Sequence, residues 1–410
     1  MTKVQEVRYR ALDLIRGISI MYVVFIHASI YNYAKFKDLN IAELPLFVLA
    51  LGAAGLWGGV FIFYSLIVNT VSILRKHKAG AGLGRTIGYL VLSGAIYILL
   101  IGTIQTLFLG RWSLGAYPPI DLTVIAETLR GQEVSVHFEK LLTGSGIKTI
   151  GLSLLIVPIF VYLIIRESGG RDRPINYSFL AITGVMIALL SFLRIYLYGD
   201  WLDTLRSSDW LGSMLGSLFI ADPYPGIAYL AYGFIGAAIG MMVYYKKKDH
   251  LRNYMIPLGF ALAAIGGAGV VLNQPSFFGA SWFWYFKVLL EAGLFVIMFS
   301  LIALSIINKS KMKSRSNSKW SATIISMSRI SLTVYMLETL TSELLRPVFF
   351  KINSSWDESL VWCALLGIVN LILWLILATL WRRYDYKYSI EYFWVLFFRS
   401  IGKNSTKLQT

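Results

Sequence analysis

The chain has 410 residues, of which 57% are hydrophobic, 15% aromatic and only 15% charged. This composition excludes an ordinary soluble domain and is typical of an integral membrane protein. Cys363 is the only cysteine, which excludes an intramolecular disulfide and a cysteine metal centre, and no other metal site is predicted. We interpret the net charge of +16 as topology determinants and contacts with membrane lipids rather than as a nucleic-acid footprint.

Apolar runs of bilayer length predict an all-α, polytopic transmembrane helix bundle of about 10 spans. A β-barrel is excluded because runs such as GLSLLIVPIFVYLII do not alternate between polar and apolar residues. The first run follows Arg8 and Arg10 and lacks a small-residue cleavage site, so we expect a retained span rather than a signal peptide. The predicted spans cover residues 11–33, 45–73, 85–109, 148–166, 177–198, 224–245, 253–272, 283–307, 321–343 and 359–381.

Basic residues are concentrated at both termini and in the loops after the second, fourth, sixth and eighth predicted spans. Because Lys and Arg favour cytoplasmic loops, this pattern predicts that both termini are cytoplasmic in a multi-pass protein of the cell (plasma) membrane. Residues 1–383 are predicted to form a single transmembrane domain. Residues 384–410 form a cytoplasmic tail in which YKYSIEYFWVLFFRSIGK predicts an amphipathic helix on the membrane surface.

The first predicted span carries three groups that lipid penalises, Asp13, Arg16 and His27. Eleven helical steps separate Arg16 from His27 and return to within about 20° of the same direction. Because charge is costly in a bilayer, this stripe should face protein or a water-filled cavity. Asp13 and Arg16 are three residues apart and are predicted to pair.

His27 is the only histidine within the predicted spans. A neutral imidazole can accept a proton near pH 7, which suits it to act as a general base or to carry an acyl group. The alternative is a hydrogen-bonded, buried histidine with no chemistry. Position alone leaves both interpretations open.

The run RYRALDLIRG, residues 8–17, followed by His27, resembles a signature of membrane-bound acyltransferases. These are the acyltransferase-3 group and the family of heparan-alpha-glucosaminide N-acetyltransferase, whose signature reads R-x-x-x-L-D-x-x-R-G before a histidine. Similar stretches follow in the same order across most of the chain: GGVFIFYSLIVN, DPYPGIAYLAYGFIGAAIG and SRISLTVYMLE.

The resemblance implies transfer of an acyl group, commonly acetyl, from cytoplasmic acyl-CoA (acetyl-CoA) to a hydroxyl or amine of a carbohydrate or other cell-envelope acceptor. It implies that His27 is catalytic and that Asp13, Arg16 and Gly17 are motif residues along the donor path. The chain departs from these relatives in lacking the long outer domain of the lysosomal enzyme. It also has Tyr64-Ser65-Leu66 where many acyltransferase-3 members have Ser-Gly. The acceptor, the acyl chain and a homodimer are therefore left open.

A donor site is predicted in the loop RKHKAGAGLGRT, which precedes a helix. Backbone N–H groups, a helix N-terminus and cations together favour anions such as the phosphates of coenzyme A. The alternative is an ordinary charged loop. The predicted phosphate-binding residues are Arg75, Lys76, Lys78, Gly82, Gly84 and Arg85.

Other polar groups in the predicted spans are assigned by spacing. Lys287 and Glu291, four residues apart, predict an ion pair, although Glu291 could instead orient His27. Arg329 and Tyr335 could line a cavity, or Arg329 could extend to the inner surface.

Asp222 and Tyr224 lie where a carboxylate and an aromatic ring would suit a sugar acceptor. The alternative for these two residues is an interfacial aromatic belt with solvated acids.

A second function class fits the same residues. In a secondary transporter or flippase, Asp13, Arg16, His27, Lys287 and Glu291 would relay protons or bind an anion. Donor dependence would separate the two classes, because only the transferase requires acyl-CoA.

Overall fold

A computed structural model of the protein describes residues 9–30, 32–34, 58–110, 123–136, 138–207, 209–273, 279–309 and 319–407. Within these ranges the chain is helical and contains no strand, which confirms the predicted all-α class. The helices are α1 (Arg10–Ile30), α2 (Val60–Lys78), α3 (Leu83–Leu109), α4 (Val124–Arg130), α5 (Gly146–Ser168), α6 (Pro174–Leu190), α7 (Leu193–Arg206), α8 (Trp210–Ile220), α9 (Gly226–Tyr244), α10 (Lys248–Leu272), α11 (Trp282–Lys309), α12 (Lys319–Arg329), α13 (Ser331–Ile352), α14 (Leu360–Arg382) and α15 (Ile390–Lys407).

Seven of the described helices are long and apolar enough to cross a membrane, namely α1, α3, α5, α9, α10, α11 and α14. The pair α6 and α7 provides an eighth span if the bent pair crosses as one unit. The protein is therefore a polytopic helical membrane protein. The count of ten spans stays a prediction.

Two predicted spans are not continuous helices. The span 177–198 is divided into α6 and α7, which are bent by 61° relative to each other. The span 321–343 is divided into α12 and α13 at Ile330, whose φ of −113° and ψ of 27° leave the helical region. Glu391 accepts hydrogen bonds from the backbone N–H groups of Leu332 and Thr333, so the new helix start at α13 is capped.

A third predicted span, 45–73, lies partly outside the described residues. Its described portion is the helix α2, which continues to Lys78.

The described helices form two compact units. Unit 1 contains α1, residues 125–132 and α12 to α15, and unit 2 contains α2, α3 and α5 to α11. The boundary predicted between residues 383 and 384 stays a prediction.

Helix α1 is packed closely within unit 1. A Cβ atom at Gly17 would overlap the carbonyl oxygen of Ile324 in α12, and one at Gly367 of α14 would overlap the hydroxyl of Ser29. These close approaches require glycine at both positions because any side chain would separate the helices. They fix the rotation of α1 and so determine which of its residues face α12 and α13.

Helix α9 lies at the centre of unit 2 and is almost entirely buried. Its Gly236 and Gly240 lie against the backbone of Phe63 and Ile67 in α2. Small residues allow helices in a membrane to approach closely and pack well. The ends of α2 and α9 consequently meet at one end of this unit.

Candidate functional site

His27 pairs with a buried carboxylate inside unit 1. Its Nδ1 atom lies 2.7 Å from Oε1 of Glu338 in α13. The Glu338 side chain is only 5% exposed, whereas that of His27 is 18% exposed. The imidazole is therefore partly exposed, whereas the carboxylate that it contacts is buried.

This geometry defines the chemistry of the ring. When Nδ1–H donates to an ionised Glu338, the neutral tautomer carries its lone pair on Nε2. A nearby carboxylate also stabilises the imidazolium that forms when Nε2 accepts a proton. The pair is therefore arranged as a base, or as a nucleophile, with an orienting acid.

Glu338 is positioned by the packing of α13 against α14. The side-chain amide of Asn370 donates to the carbonyl oxygen of Glu338 at 3.4 Å, and the hydroxyl of Thr341 donates to Asn370 at 2.7 Å. Trp374 Nε1 donates to Thr341 Oγ1 at 2.9 Å. Such a buried chain of hydrogen bonds fixes the register of α13 at the residue that binds His27.

The carboxylate of Glu338 is incompletely satisfied. Its Oε1 also accepts a hydrogen bond from Thr339 Oγ1 at 3.3 Å, while its Oε2 is buried without a hydrogen-bond partner. Most buried polar atoms in folded proteins have a partner, and one without a partner raises the free energy of the fold. Catalytic or binding sites are among the places where such atoms occur.

Arg16 lies on the same stripe of α1 as His27 and also faces protein. Its Nε donates to the hydroxyl of Ser328 at 2.9 Å, and its guanidinium also reaches the carbonyl oxygen of that residue. The prediction that the stripe faces protein is therefore confirmed. Asp13 is buried, and its predicted pairing with Arg16 stays a prediction.

The contacts along α1 occur in sequence order. A third contact forms just beyond the C-terminal end of α1, where Nη1 of Arg346 donates a hydrogen bond to Oδ1 of Asn32 at 2.8 Å. Residues 16, 27 and 32 thus contact residues 328, 338 and 346 in turn. Because both series increase together, α1 runs in the same direction as α12 and α13.

Glu338 is the carboxylate that contacts His27 within unit 1, and the predicted role of Glu291 in orienting His27 stays a prediction. In unit 2, Glu291 lies 3.2 Å from Nζ of Lys287, which confirms the ion pair predicted from their spacing. Glu291 also accepts hydrogen bonds from the hydroxyls of Tyr232 at 3.1 Å and Tyr229 at 3.4 Å. These groups hold the carboxylate within unit 2.

Arg329 and Tyr335 have different surroundings. The ring centroid of Tyr335 lies 6.2 Å from that of His27, in an edge-on arrangement. Arg329 is exposed, and its guanidinium lies 5.3 Å from the ring centroid of Tyr386. Of these two predicted cavity residues, Tyr335 is therefore the one beside the imidazole.

A basic cavity of about 720 Å³ lies in unit 2, at the C-terminal ends of α2, α5 and α9. It contains Arg75 and Lys78 of the predicted donor loop, but its described lining does not extend to Lys76, Gly82, Gly84 or Arg85, which are exposed. The phosphate-binding role predicted for these four residues stays a prediction. The lining residues are Leu74, Arg75, His77, Lys78, Ala79, Gly169, Gly170, Tyr244 and Tyr245.

Two consecutive glycines shape this cavity. Gly169 and Gly170 have positive φ values of 62° and 71°, which favour glycine. A Cβ atom at Gly170 would also come within 2.9 Å of the His77 ring. The chain reversal after α5 therefore brings backbone against the basic end of α2, a contact that the loop sequence alone does not reveal.

The chemistry of the cavity suits an anion. Arg75 and Lys78 supply positive charge, His77 adds an imidazole ring, and Tyr245 donates its hydroxyl hydrogen to the carbonyl oxygen of Gly170 at 2.9 Å. Within the described ranges, no group of three or more His, Cys, Asp or Glu side chains is arranged to hold a metal ion.

Asp222, a predicted acceptor residue, lies in a network of buried hydrogen bonds in unit 2. It forms an ion pair with the fully buried Arg194 and accepts hydrogen bonds from Tyr198 at 3.2 Å and from the backbone N–H of Gly279 at 2.8 Å. These contacts connect α7 to the turn before α9. An acceptor contact for Asp222 or Tyr224 stays a prediction.

These features define a polytopic helical membrane protein with a histidine–carboxylate pair between two helices and a separate basic cavity. No model of a known protein family matches the chain, and no match was found among curated proteins. The resemblance of residues 8–17 and His27 to membrane-bound acyltransferases therefore stays a prediction based on those residues.

Proposed function

We propose that the protein is an integral membrane acyltransferase. It transfers an acyl group, expected to be acetyl, from acyl-CoA to a hydroxyl or amine of a carbohydrate or other cell-envelope acceptor. The observation that carries this proposal is the 2.7 Å contact between Nδ1 of His27 and the buried carboxylate of Glu338. An ionisable residue inside a membrane helix is costly and is by default a functional candidate.

The reaction assigns a role to each group. Nε2 of His27 removes the proton from an acceptor hydroxyl as its oxygen bonds to the thioester carbonyl carbon. The carbon–sulfur bond then breaks, and the imidazolium returns the proton to the departing thiolate, giving free coenzyme A. Glu338 stabilises the imidazolium between these two proton transfers.

The same geometry also supports a two-stage route. Nε2 of His27 would attack the thioester carbonyl carbon, and the carbon–sulfur bond would break. The Nδ1 proton would pass by way of Glu338 to the departing thiolate, which leaves an acyl-imidazole and free coenzyme A. The acceptor hydroxyl would then attack the acyl carbon and regenerate the imidazole. Both routes require the tautomer that Glu338 selects.

A separate assignment concerns the donor phosphates. The basic cavity of unit 2 has a volume of about 720 Å³, within the range of about 300 to 1,000 Å³ that is usual for ligand pockets. Arg75, His77 and Lys78 would bind the phosphates of acyl-CoA, since cations and phosphates form strong charge-assisted hydrogen bonds.

We further propose that the chain crosses the plasma membrane ten times. Both of its termini then lie in the cytoplasm. Support comes from the parallel direction of α1 and α13, which two odd-numbered spans require. It also comes from the basic residues in the last turn of α2 and directly after α9, which the positive-inside rule assigns to the cytoplasm. The cavity would then open where acyl-CoA is found.

The test is acyl transfer by the purified full-length protein in detergent, with labelled acetyl-CoA as donor and a cell-envelope extract as acceptor source. We expect wild-type protein to transfer label without any gradient and His27→Ala to lose about 10²- to 10⁴-fold, the usual range for a general base. His250→Gln, at a histidine that contacts Tyr177 in unit 2, serves as the control and should retain activity. Full activity in His27→Ala would contradict the assignment.

A second candidate function is supported by a different observation. The buried pair of Glu291 and Lys287, with two tyrosine hydroxyls, resembles what a proton-coupled transporter or flippase places inside its spans. A transporter would move its substrate only across sealed vesicles and would be indifferent to acyl-CoA. Activity that requires a gradient and no donor would favour this candidate.

A further inference from the structure

Unit 1 contains a second polar cavity that the His27–Glu338 pair does not use. Its volume is about 400 Å³, and it lies between the end of α4 and the C-terminal part of α13. Charged and apolar groups share its wall. The lining residues are Leu129, Arg130, Gln132, Glu343, Arg346, Pro347 and Phe350.

Two guanidinium groups share one buried carboxylate in this wall. Glu343 is 1% exposed, and both of its oxygens accept hydrogen bonds from Arg130, at 3.0 Å from Nε and 2.8 Å from Nη2. This bidentate pair neutralises the carboxylate. Nε of Arg346 lies further away, 3.6 Å from Oε2 of Glu343.

Among the described residues, Arg346 has no carboxylate oxygen within hydrogen-bond distance, because Glu343 and Asp357 pair with it only at longer range. The nearest oxygen of Asp357 is 3.9 Å from Nη2 of Arg346, and the Asp357 side chain is 22% exposed. The two guanidinium groups and the two carboxylates balance in charge, but an anion entering the cavity would supply the close, hydrogen-bonded partner that Arg346 lacks.

Aromatic rings hold the Arg346 guanidinium in place. It lies 5.3 Å from the ring centroid of Phe350 and 5.5 Å from that of the fully buried Trp356. Such cation–π contacts, together with the hydrogen bond to Asn32, preorganise the planar group for bidentate binding of a carboxylate or phosphate.

The cavity shares its helices with the candidate catalytic pair. Arg346 follows Glu338 by eight residues on α13, a rise of about 12 Å. Arg346 also bonds to Asn32, which follows His27 in the chain after α1 ends. A molecule of a few sugar units bound at Arg346 would thus extend along the same two segments of chain that carry His27 and Glu338.

We propose that this cavity binds the negatively charged group of the acceptor, and that the acceptor is an acidic saccharide bearing a carboxylate or a phosphate. Arg346, Arg130 and the amide of Gln132 would bind the anion, while Leu129 and Phe350 would contact the apolar face of the sugar. This substrate class rests on the proposed transferase function. The anion site itself can be tested without any activity.

The test is ligand binding to the full-length protein in detergent by saturation-transfer NMR, with glucuronate, glucose 6-phosphate and neutral glucose as probes. We expect one or both anionic sugars to bind at least about fivefold more tightly than glucose, a difference of about 1 kcal/mol. The sugar that binds more tightly, glucuronate or glucose 6-phosphate, shows whether the site prefers a carboxylate or a phosphate. Equal binding of all three sugars, or no binding of the anionic ones, would overturn the proposal.

Matched variants at Gln132 test whether the anionic sugar binds in this cavity. Gln132 is exposed, and its replacement leaves the Arg130–Glu343 pair intact. Gln132→Glu should weaken binding of the anionic sugar several-fold and Gln132→Lys should strengthen it, whereas glucose binding should not change. Unchanged anion binding in both variants would place the ligand elsewhere and contradict the proposal.

A His27→Ala variant separates this inference from the proposed function. It should bind the anionic sugar like wild type even though transfer is lost. If the protein binds the anion in a manner that depends on Gln132 but transfers no acyl group, the anion site is supported and the proposed transferase function is refuted. If it transfers an acyl group but binds no anionic sugar, the transferase function is supported and the anion site is refuted.

Discussion

Two buried glutamates, one in each unit, are paired with basic side chains in different ways. Glu291 in unit 2 is 1% exposed and pairs with Lys287 on its own helix, with two tyrosine hydroxyls as further donors. Glu338 in unit 1 pairs with His27 of another helix. The first pair joins a carboxylate to a lysine of the same helix, whereas the second contains an imidazole, the side chain whose ordinary pKa lies nearest neutral pH.

The contrast between these two glutamate pairs indicates where proton transfer is to be expected. A carboxylate held by a neighbour four residues away on its own helix contributes to folding of that helix and to its local packing. A carboxylate that orients an imidazole across a helix interface, with the ring 18% exposed, is prepared for proton transfer. Burial of an acid alone does not distinguish these cases.

Replacing each glutamate in turn breaks this comparison most strongly. Glu338→Gln should lower acyl transfer by about 10- to 100-fold, because the imidazolium loses its stabilising charge. Glu291→Gln should leave the transfer rate within about threefold, because the partners described for Glu291 are Lys287, Tyr229 and Tyr232 of unit 2. Initial rates of labelled acetyl transfer measure both, and equal losses would contradict the distinction.

The basic cavity of unit 2 gives the next largest effect. Neutralising Arg75 and Lys78 together by substitution with Gln should raise KM for acetyl-CoA by about 10-fold, equivalent to about 1.4 kcal/mol of lost phosphate binding. Arg85→Gln is the matched control, since Arg85 belongs to the same loop but lies outside the described lining. An equal increase of KM in the double variant and in Arg85→Gln would instead indicate that the glycine-rich loop binds the donor.

Gly17 tests the packing that orients His27. Gly17→Ala would place a methyl group against the Ile324 backbone, and we expect a loss of about 1 to 3 kcal/mol of stability as α1 shifts. Gly84→Ala is the matched control because a Cβ at Gly84 meets no atom within 4 Å. Thermal unfolding in detergent compares the two, and equal midpoints would show that α1 and α12 do not approach this closely.

The smallest expected effect concerns Glu391 of α15, outside the candidate spans. It caps the start of α13, so Glu391→Ala should cost about 1 kcal/mol. Burial raises the pKa of Glu391, so its contribution to stability is present at low pH and is lost as the pH rises through its folded-state value. The thermal midpoint of wild type relative to Glu391→Gln should therefore fall from pH 4 towards neutral pH, and a constant difference would contradict this cause.

Patterns within one helix could be predicted from the sequence. The Lys287–Glu291 pair follows from a spacing of four residues, and the inward stripe of Arg16 and His27 follows from helical periodicity. The break at Ile330 could not be predicted, because it depends on a cap supplied by distant Glu391.

The partners across helices required the structure. Glu338 was visible in the sequence as an acid inside a predicted span, but several buried acids satisfied that description. The basic cavity combines the end of α2 with Gly169 and Gly170, about 90 residues later in the chain, and no local pattern connects them.

Chemical rescue tests the central claim most directly. We expect that His27→Ala, which has lost labelled acetyl transfer, regains part of this activity when imidazole is added, because the partly exposed ring of His27 lies beside Glu338. The rescue should be much weaker when Glu338→Gln is combined with His27→Ala. Full transfer by His27→Ala without imidazole would contradict the claim that this histidine performs the chemistry.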